Sequence, residues 1–500
     1  MSLLIELARQ GTIPWRLHAD PSDPRPQLLV VGTALDHWSS RLVAELNAAP
    51  ELSGALAELF SCILVDAAQE PQLAALGQHA LRLTNGEAGY PVLAVCTPHG
   101  QPFGALPWRP IGDLATRLLA AAEAWHLQRA DCLADAARIA RAWEALRQPA
   151  SGKALQTTLV VDAAEAAAIA AADPLEGGFG PPPRLVEPAL WEFLIARAAR
   201  PDAPFALQAQ VERSLTALVA GQLHDHIGGG FFAGCATADW QQPFCHKPLA
   251  TQAQLALLLL SAGERLGKPL WREIGLRTLD FAVSSLRLED GSYAHGLHAD
   301  SPTAPGRWEH GAVYRWTLEQ AAAVVGAEGS TLLAERFALP GIPGLGAPLA
   351  DHRLPALVQR LAVARSERPQ PRRDDTVIAA EQGLIACALA RAGLFDFMPP
   401  LVGDDPWTGR ALTAIWRHTG APDPRALAIA AADVMEEDLD PAGGLAPAAV
   451  RAQLCLDLAE LTGDPNWRAR AQALIDRSRD RIRAAPLAAA GLLTCSERLG

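Results

Sequence analysis

The sequence predicts a multidomain fold, a mixed α/β layer followed by an all-α array, and three observations carry that prediction. Short apolar runs alternate with helical spacing up to residue 125. Beyond Asp113 nearly every apolar face repeats with helical period. Glycine- and proline-rich segments interrupt those helical runs at regular intervals.

Residues 28–33, LLVVGT, form a continuous apolar run of strand length, and residues 39–60 then carry Leu42, Leu46 and Leu56 at helical spacing. A second apolar run, 62–65, ends at Asp66, and a helical stretch covers 73–81. Tyr90-Pro91-Val92-Leu93-Ala94-Val95 is a third strand that opens at a proline; after the turn Pro98-His99-Gly100, residues 101–106 form a fourth extended piece. Strand, helix, strand, helix, hairpin, helix is the order of a thioredoxin fold. Pro91 stands where that fold keeps a cis peptide bond, and it equally suits a proline that opens an edge strand.

Helical faces follow at 114–126, 131–146, 188–200, 207–223, 247–266, 270–286, 317–325, 376–392, 425–436, 447–462 and 466–483. The segments 177–183, 228–230, 291–307 and 340–348 are too long or too glycine-rich for tight helix connections and read as loops gathered at one end. Paired helices joined alternately by short turns and long loops make an α/α toroid, whose long loops build a pocket at the mouth. The domain division read from these patterns is a thioredoxin-like domain over 1–125, a helical connection over 126–175 and an (α/α) barrel over 176–500. No sustained exact repeat is visible.

Half of the 500 residues are hydrophobic and a fifth are charged, the balance of a globular protein with more than one core. The net charge of −12 repels phosphate backbones and anionic lipid surfaces, so neither a nucleic acid nor a membrane is an expected partner. The first 15 residues include Glu6 and Arg9 and lack the basic start and apolar run of a signal peptide; the longest strongly apolar run, 255–260, is too short to span a bilayer. A cytoplasmic location is the resulting expectation. Eight scattered cysteines without a C-x-x-C pair read as buried free thiols.

Several blocks resemble the family of YyaL-like and spermatogenesis-associated-protein-20-like proteins, which join a thioredoxin-like domain to a six-hairpin (α/α) barrel of the glycosidase-like type. That family follows its first strand with C-H-W-C-H; here the segment is Asp36-His37-Trp38-Ser39-Ser40. Gly89-Tyr90-Pro91-Val92 with Thr97-Pro98-His99-Gly100-Gln101-Pro102-Phe103 is similar to its G-W-P…T-P-x-G-x-P-F and supports a cis Pro91. In the barrel, Gly177-Gly178-Phe179-Gly180, then Asp225-His226-Ile227-Gly228-Gly229-Gly230-Phe231, and then Glu309-His310-Gly311-Ala312-Val313-Tyr314-Arg315-Trp316-Thr317 resemble family motifs. The family's P-H-F-E-K-M-L-Y-D becomes Pro243-Phe244-Cys245-His246-Lys247-Pro248-Leu249-Ala250-Thr251. His298 replaces the first Asp of its D-A-D, and Glu381-Gln382 replace a Trp-Asn after Asp374-Asp375-Thr376-Val377, so this chain resembles a divergent member.

Thiol–disulfide exchange needs a nucleophilic thiolate and a resolving thiol, and the two degenerate positions hold Asp36 and Ser39. Asp36 has a structural role open to it as a helix cap. For the barrel, paired carboxylates are the instruments of sugar hydrolysis, so Asp225 and Glu309 are the candidate catalytic groups; each also suits a cap or loop anchor. Asp300, Asp374, His246 and His298 are candidate binding groups, and Trp240 and Trp316 candidate stacking platforms, with core packing the competing reading for each tryptophan. Histidine bases would serve an epimerase-like reaction instead. The histidine spacing is not that of a metal site, and no metal or cofactor is called for. The function read from these signals is a redox-inactive protein with a carbohydrate-related pocket, a diverged glycosidase- or epimerase-like enzyme or a sugar binder. The alternative is an interaction module whose thioredoxin-like face binds a protein partner.

Overall fold

A computed structural model describes residues 2–147, 157–336, 354–434 and 445–499. The chain divides into two units: one of residues 1–148 with 374–378 and 440–443, the other of the remainder. The expected loop at 340–348 lies outside the described residues.

The first unit runs α1 (Leu3–Ala8), β1 (Gln27–Gly32), α2 (His37–Asn47), α3 (Pro50–Leu59), β2 (Ser61–Asp66), α4 (Pro71–Asn85), β3 (Val92–Cys96), β4 (Pro102–Pro107), α5 (Ile111–Leu127) and α6 (Arg129–Arg147). Its sheet has the order β2-β1-β3-β4, with β1 and β2 parallel and β3 antiparallel to both its neighbours, which is the thioredoxin arrangement. The central strands are apolar without alternation because both faces are covered. Leu28, Val30, Leu64 and Leu93 meet Leu42, Leu46, Leu114 and Leu118 on one side. Leu29, Val31, Ile63 and Val92 meet Ala80 and Leu81 of α4 and Ile139 of α6 on the other. The Tyr90–Pro91 peptide bond is cis.

The second unit contains α7 (Thr157–Ala170), α8 (Pro188–Ala198), α9 (Phe205–Ala220), β5 (Lys247–Pro248), α10 (Leu249–Arg265), α11 (Pro269–Ser285), β6 (Gly296–Leu297), β7 (Asp300–Ala304), β8 (Arg307–His310), α12 (Leu318–Arg336), α13 (Leu354–Ser366), α14 (Ala379–Ala392), α15 (Pro406–Thr419), α16 (Pro422–Val434), α17 (Leu445–Thr462), α18 (Pro465–Ala484) and α19 (Ala490–Leu499). Helices α8, α10, α14, α15, α17 and α19 touch in that order, and α19 returns to α8, so they close a ring. Partners α9, α11, α16, α18 and α7 pack on ring members, which makes the unit an (α/α) toroid. Residues 126–175, expected as a connection, are shared between the units: α6 packs on α4, β4 and α5, and α7 on α19.

A repeat invisible in the sequence organises the loops. After α7, α9 and α11 the chain makes the same short antiparallel bridge, Ala172 to Phe179, His224 to Phe231 and Arg287 to Tyr293. Side-chain amides hold two of them. Gln252, in the first turn of α10, accepts from the Phe231 N–H and donates to the Phe231 carbonyl, both at 2.7 Å. Gln382, in the first turn of α14, does the same to Tyr293 at 2.8 Å. Gly230 has φ +72°, and a Cβ there would strike the Phe281 ring, so this bridge requires glycine.

Candidate functional site

Asp225 begins the glycine-rich bridge after α9 and is 1% exposed. Its Oδ1 accepts from the backbone N–H groups of Ile227 and Gly228 at 3.1 and 3.0 Å and from Arg365 Nη1 at 2.8 Å. Its Oδ2 accepts from Arg365 Nη2 at 2.9 Å and Lys247 Nζ at 2.6 Å. Lys247 also donates to the Gly229 carbonyl and lies within 4.4 to 5.2 Å of the Phe281, Phe232 and Tyr314 ring centroids. Gly228 makes room for this cluster, since a Cβ there would fall on the Arg365 guanidinium. Burial alone would raise the Asp225 carboxyl, but Arg365 and Lys247 hold it far below the usual carboxylate range. Burial pulls the Lys247 ammonium down to about 8, with Asp225 opposing.

With five donors on two oxygens, Asp225 has no capacity left for a substrate proton. The expectation that it acts as a catalytic carboxylate is therefore corrected: it is an anchor for the loop. Its partner Arg365, 140 residues away on α13, leaves no local signal in the sequence.

Glu309 needs a second correction. Strands β7 and β8 pair antiparallel, Asp300 opposite His310, Ser301 opposite Glu309 and Pro302 opposite Trp308. Side chains alternate along a strand, so Asp300, Pro302, His310 and Trp308 share one face and Glu309 points to the other. There it pairs with Arg307 at 2.8 Å. Segment 291–307, expected as a loop, thus contains β6, β7 and the start of β8.

The Asp300 face is where polar groups converge. The Asp300 N–H donates to His298 Nδ1 at 2.9 Å, which places the proton of neutral His298 on Nε2. Strand β5 pairs with β6, Lys247 opposite Leu297, and His246 and His298 follow at the same end of that ladder. His246 Nδ1 and His310 Nε2 both lie on the Phe244 carbonyl, at 3.2 and 2.9 Å. Between Phe244 and His246, Cys245 has φ +62°, and the His246 N–H closes a three-residue turn onto the same carbonyl at 2.9 Å. Such a conformation is costly for a residue with a side chain and collects at ligand sites. Nearby on the chain, His295 Nδ1 meets the Glu381 carboxylate at 2.9 Å; sequence reading registered Glu381 as a departure and not as a partner.

The tryptophans separate by exposure. Trp240 and Trp316 are each 2% exposed, and Trp308 is 45% exposed. Trp240 donates to the Glu176 carbonyl and packs edge-on to Trp191, while Arg368 stacks on Trp316 at 3.6 Å. Both are packing residues, which corrects their assignment as platforms; Trp308 is the accessible ring. Asp374 is buried, with Oδ1 accepting from the backbone and hydroxyl of Thr376. Among the described residues no group of three or more His, Cys, Asp or Glu is placed to hold a metal ion, and no helix is long and apolar enough to cross a membrane.

In the first unit, Asp36 caps α2: its Oδ2 accepts from the Ser39 N–H at 2.7 Å and the Ser39 hydroxyl at 2.9 Å. Ser39 Oγ in turn accepts from the Thr33 N–H, so the pair is closed on itself. Burial pushes the Cys62 and Cys96 thiols up to about 12, far from a nucleophile's range. Trp38, 40% exposed, packs on Trp108 with Arg41 over both rings.

Residues 16–144 match the family model Thioredox_DsbH, described as a protein of unknown function, DUF255. Spermatogenesis-associated protein 20 of Mus musculus is 25% identical over 329 residues, 61% of this chain and 41% of that protein. The Homo sapiens protein of the same name is 24% identical over 428 residues, 74% of this chain and 54% of that one. The chain thus spans about half the length of these curated relatives. Among solved structures, a sugar epimerase from a ruminal bacterium aligns with TM-score 0.36 and 9% identity over 65% of this chain and 87% of its own. Cellobiose 2-epimerase from Spirochaeta thermophila aligns with TM-score 0.34 and 13% identity over 65% and 85%.

Proposed function

From the β7–β8 ribbon we propose that this chain, which is similar to spermatogenesis-associated protein 20 and matches the DUF255 family model over residues 16–144, holds a carbohydrate-type ligand in its helical unit while its thioredoxin-like unit carries out no thiol chemistry. The observation that supports this most is one strand face bearing an exposed Trp308, His310 and Asp300, with His298 and His246 beside it. An aromatic ring covers the apolar face of a pyranose, and carboxylate and imidazole groups take its hydroxyls. If the site is catalytic, histidines moving protons fit it better than two-carboxylate hydrolysis, because Asp225 is spent and Glu309 faces away.

Calorimetric titration of the full chain with a panel of hexoses tests this reading. Binding that Trp308→Ala weakens by about tenfold, the upper range for an aromatic contact, is expected. A chain that binds none of the panel would overturn it. The exposed Trp38–Trp108–Arg41 stack favours a second reading, a protein segment bound at the thioredoxin-like face; a peptide-display selection whose winners lose affinity with Trp38→Ala would support that one.

A further inference from the structure

We infer that the helical unit has a second site, separate from the ribbon: an open cavity on α9 that takes a small zwitterion of the amino-acid type. Arg213 receives its carboxylate, and Glu176 and Asp239 receive its ammonium. The cavity has a volume of about 580 Å³, within the range that holds a small ligand. Its floor is one face of α9, where Glu212, Arg213, Thr216, Ala217 and Ala220 recur at three- and four-residue spacing. Leu175 and Glu176 form one wall, and residues 239–241 form another.

Both walls are fixed to the helix. The Glu176 N–H donates to Asp173 Oδ1 at 2.9 Å, and the Glu176 carbonyl accepts from the Trp240 indole N–H at 3.0 Å. Gly177, the next residue, packs directly on α9: a Cβ there would stand 3.0 Å from the Ser214 Cα and 3.2 Å from the Arg213 carbonyl oxygen. On the other wall Trp240 has φ +60°, and its carbonyl accepts from the Gln222 N–H at 2.8 Å. A Cβ on Gly221 would fall 2.6 Å from that of Trp240, so this glycine lets the wall close on the end of the helix. A left-handed backbone at tryptophan is costly, and such strain collects where a ligand is held. Trp240 itself stays buried and shapes the wall without offering its ring.

Four charged side chains line the cavity. Glu212 is taken by Lys268 at 3.0 Å. Asp239 is half used: its Oδ1 accepts from the Thr237 hydroxyl at 2.5 Å and the Gln241 N–H at 3.1 Å, while its Oδ2 meets no donor among the described residues. The Glu176 carboxylate and the Arg213 guanidinium have no partner among the described residues, and they do not pair with each other although they line one cavity. Arg184, behind Trp240, is closed on Asp173. Opposite charges left unmatched on separate elements fit a ligand that carries both. A guanidinium meets a carboxylate with two parallel N–H donors, and the three donors of an ammonium suit two carboxylates. Helix α9 also ends at this cavity, and the partial negative charge of its C-terminus favours the ammonium on the Asp239 side.

The test is isothermal titration of the full chain with the common amino acids and, for each that binds, with its carboxamide, which lacks the anion, and its N-acetyl derivative, which lacks the cation. The expected result is that the zwitterion binds at least roughly tenfold more tightly than either blocked form. Arg213→Gln should remove its advantage over the carboxamide, and Glu176→Gln combined with Asp239→Asn its advantage over the N-acetyl derivative. All three side chains are exposed, so these variants should keep the melting temperature of the parent. A panel in which no amino acid binds overturns the inference, as does a blocked form that binds as tightly as its parent or a preference that survives Arg213→Gln. Amino-acid binding lost with Trp308→Ala would place the ligand at the ribbon and overturn it too. The carbohydrate reading stands or falls separately, on the sugar titration.

Discussion

The two polar clusters of the helical unit are built in opposite ways. Around Asp225 every oxygen is met by a donor, the Asp225 and Lys247 side chains are 1% exposed, and aromatic rings close over Lys247. Around Asp300 the groups sit on a two-stranded ribbon with an exposed tryptophan, and His246 and His310 are only partly buried. In the first cluster each charge is met within the group itself; in the second, Asp300 and His298 are 7% exposed and lie beside the exposed Trp308. A glycine-rich block with a buried acid therefore marks a place where the fold is tied, one ribbon away from the proposed ligand face.

The largest expected effect that bears on this contrast is Asp225→Ala. It leaves Lys247 and Arg365 buried without their counter-charge and is expected to cost about 3–5 kcal/mol, read by denaturant or thermal unfolding. A variant that melts like the parent would show that the cluster is not the anchor described. Next is acid. Burial lowers His226 from 6.5 to about 4, so between those values the unfolded chain binds a proton that the folded chain refuses. Stability therefore falls as pH drops through that window, by about 3 kcal/mol at its lower end. His226→Gln should flatten that part of the pH profile. Below about pH 4 the Asp225 contribution is lost in turn, because its folded carboxyl titrates below the unfolded one.

A smaller effect, about 1 kcal/mol, is expected for Asp36→Ala through the lost cap of α2, while insulin reduction stays at background before and after. Insulin reduction above background in the parent chain would refute the redox-silent reading. The smallest is Trp308→Ala, which should change melting by less than about 0.5 kcal/mol because the ring is exposed. A large loss there would move Trp308 into the packed cluster and erase the distinction between the two regions.

Both folds were legible because each depends on local period: the runs at 28–33 and 62–65 are strands, and the apolar spacing after Asp113 is helical. The site was legible only as a set of residues. Asp300, His246 and His298 stand in the sequence as candidate binding groups, but the faces they occupy are not legible there, because Pro302, Pro305 and Gly306 hide the alternation of the β7–β8 hairpin. Trp308 and Trp316, eight residues apart, give no sign in the sequence of which one is covered. The partners of Asp225 and His295, namely Arg365 and Glu381, lie 140 and 86 residues away and meet them through tertiary packing alone.

The Gln252 and Gln382 clamps carry a further consequence. Each grips a main-chain N–H and C=O of the strand it holds, so it is indifferent to that strand's side chains. The rim of the toroid is thereby framed by backbone, like a socket whose fittings are interchangeable. Because the hold is on the main chain, the course of each bridge is set by the clamp whatever residue stands at the gripped position.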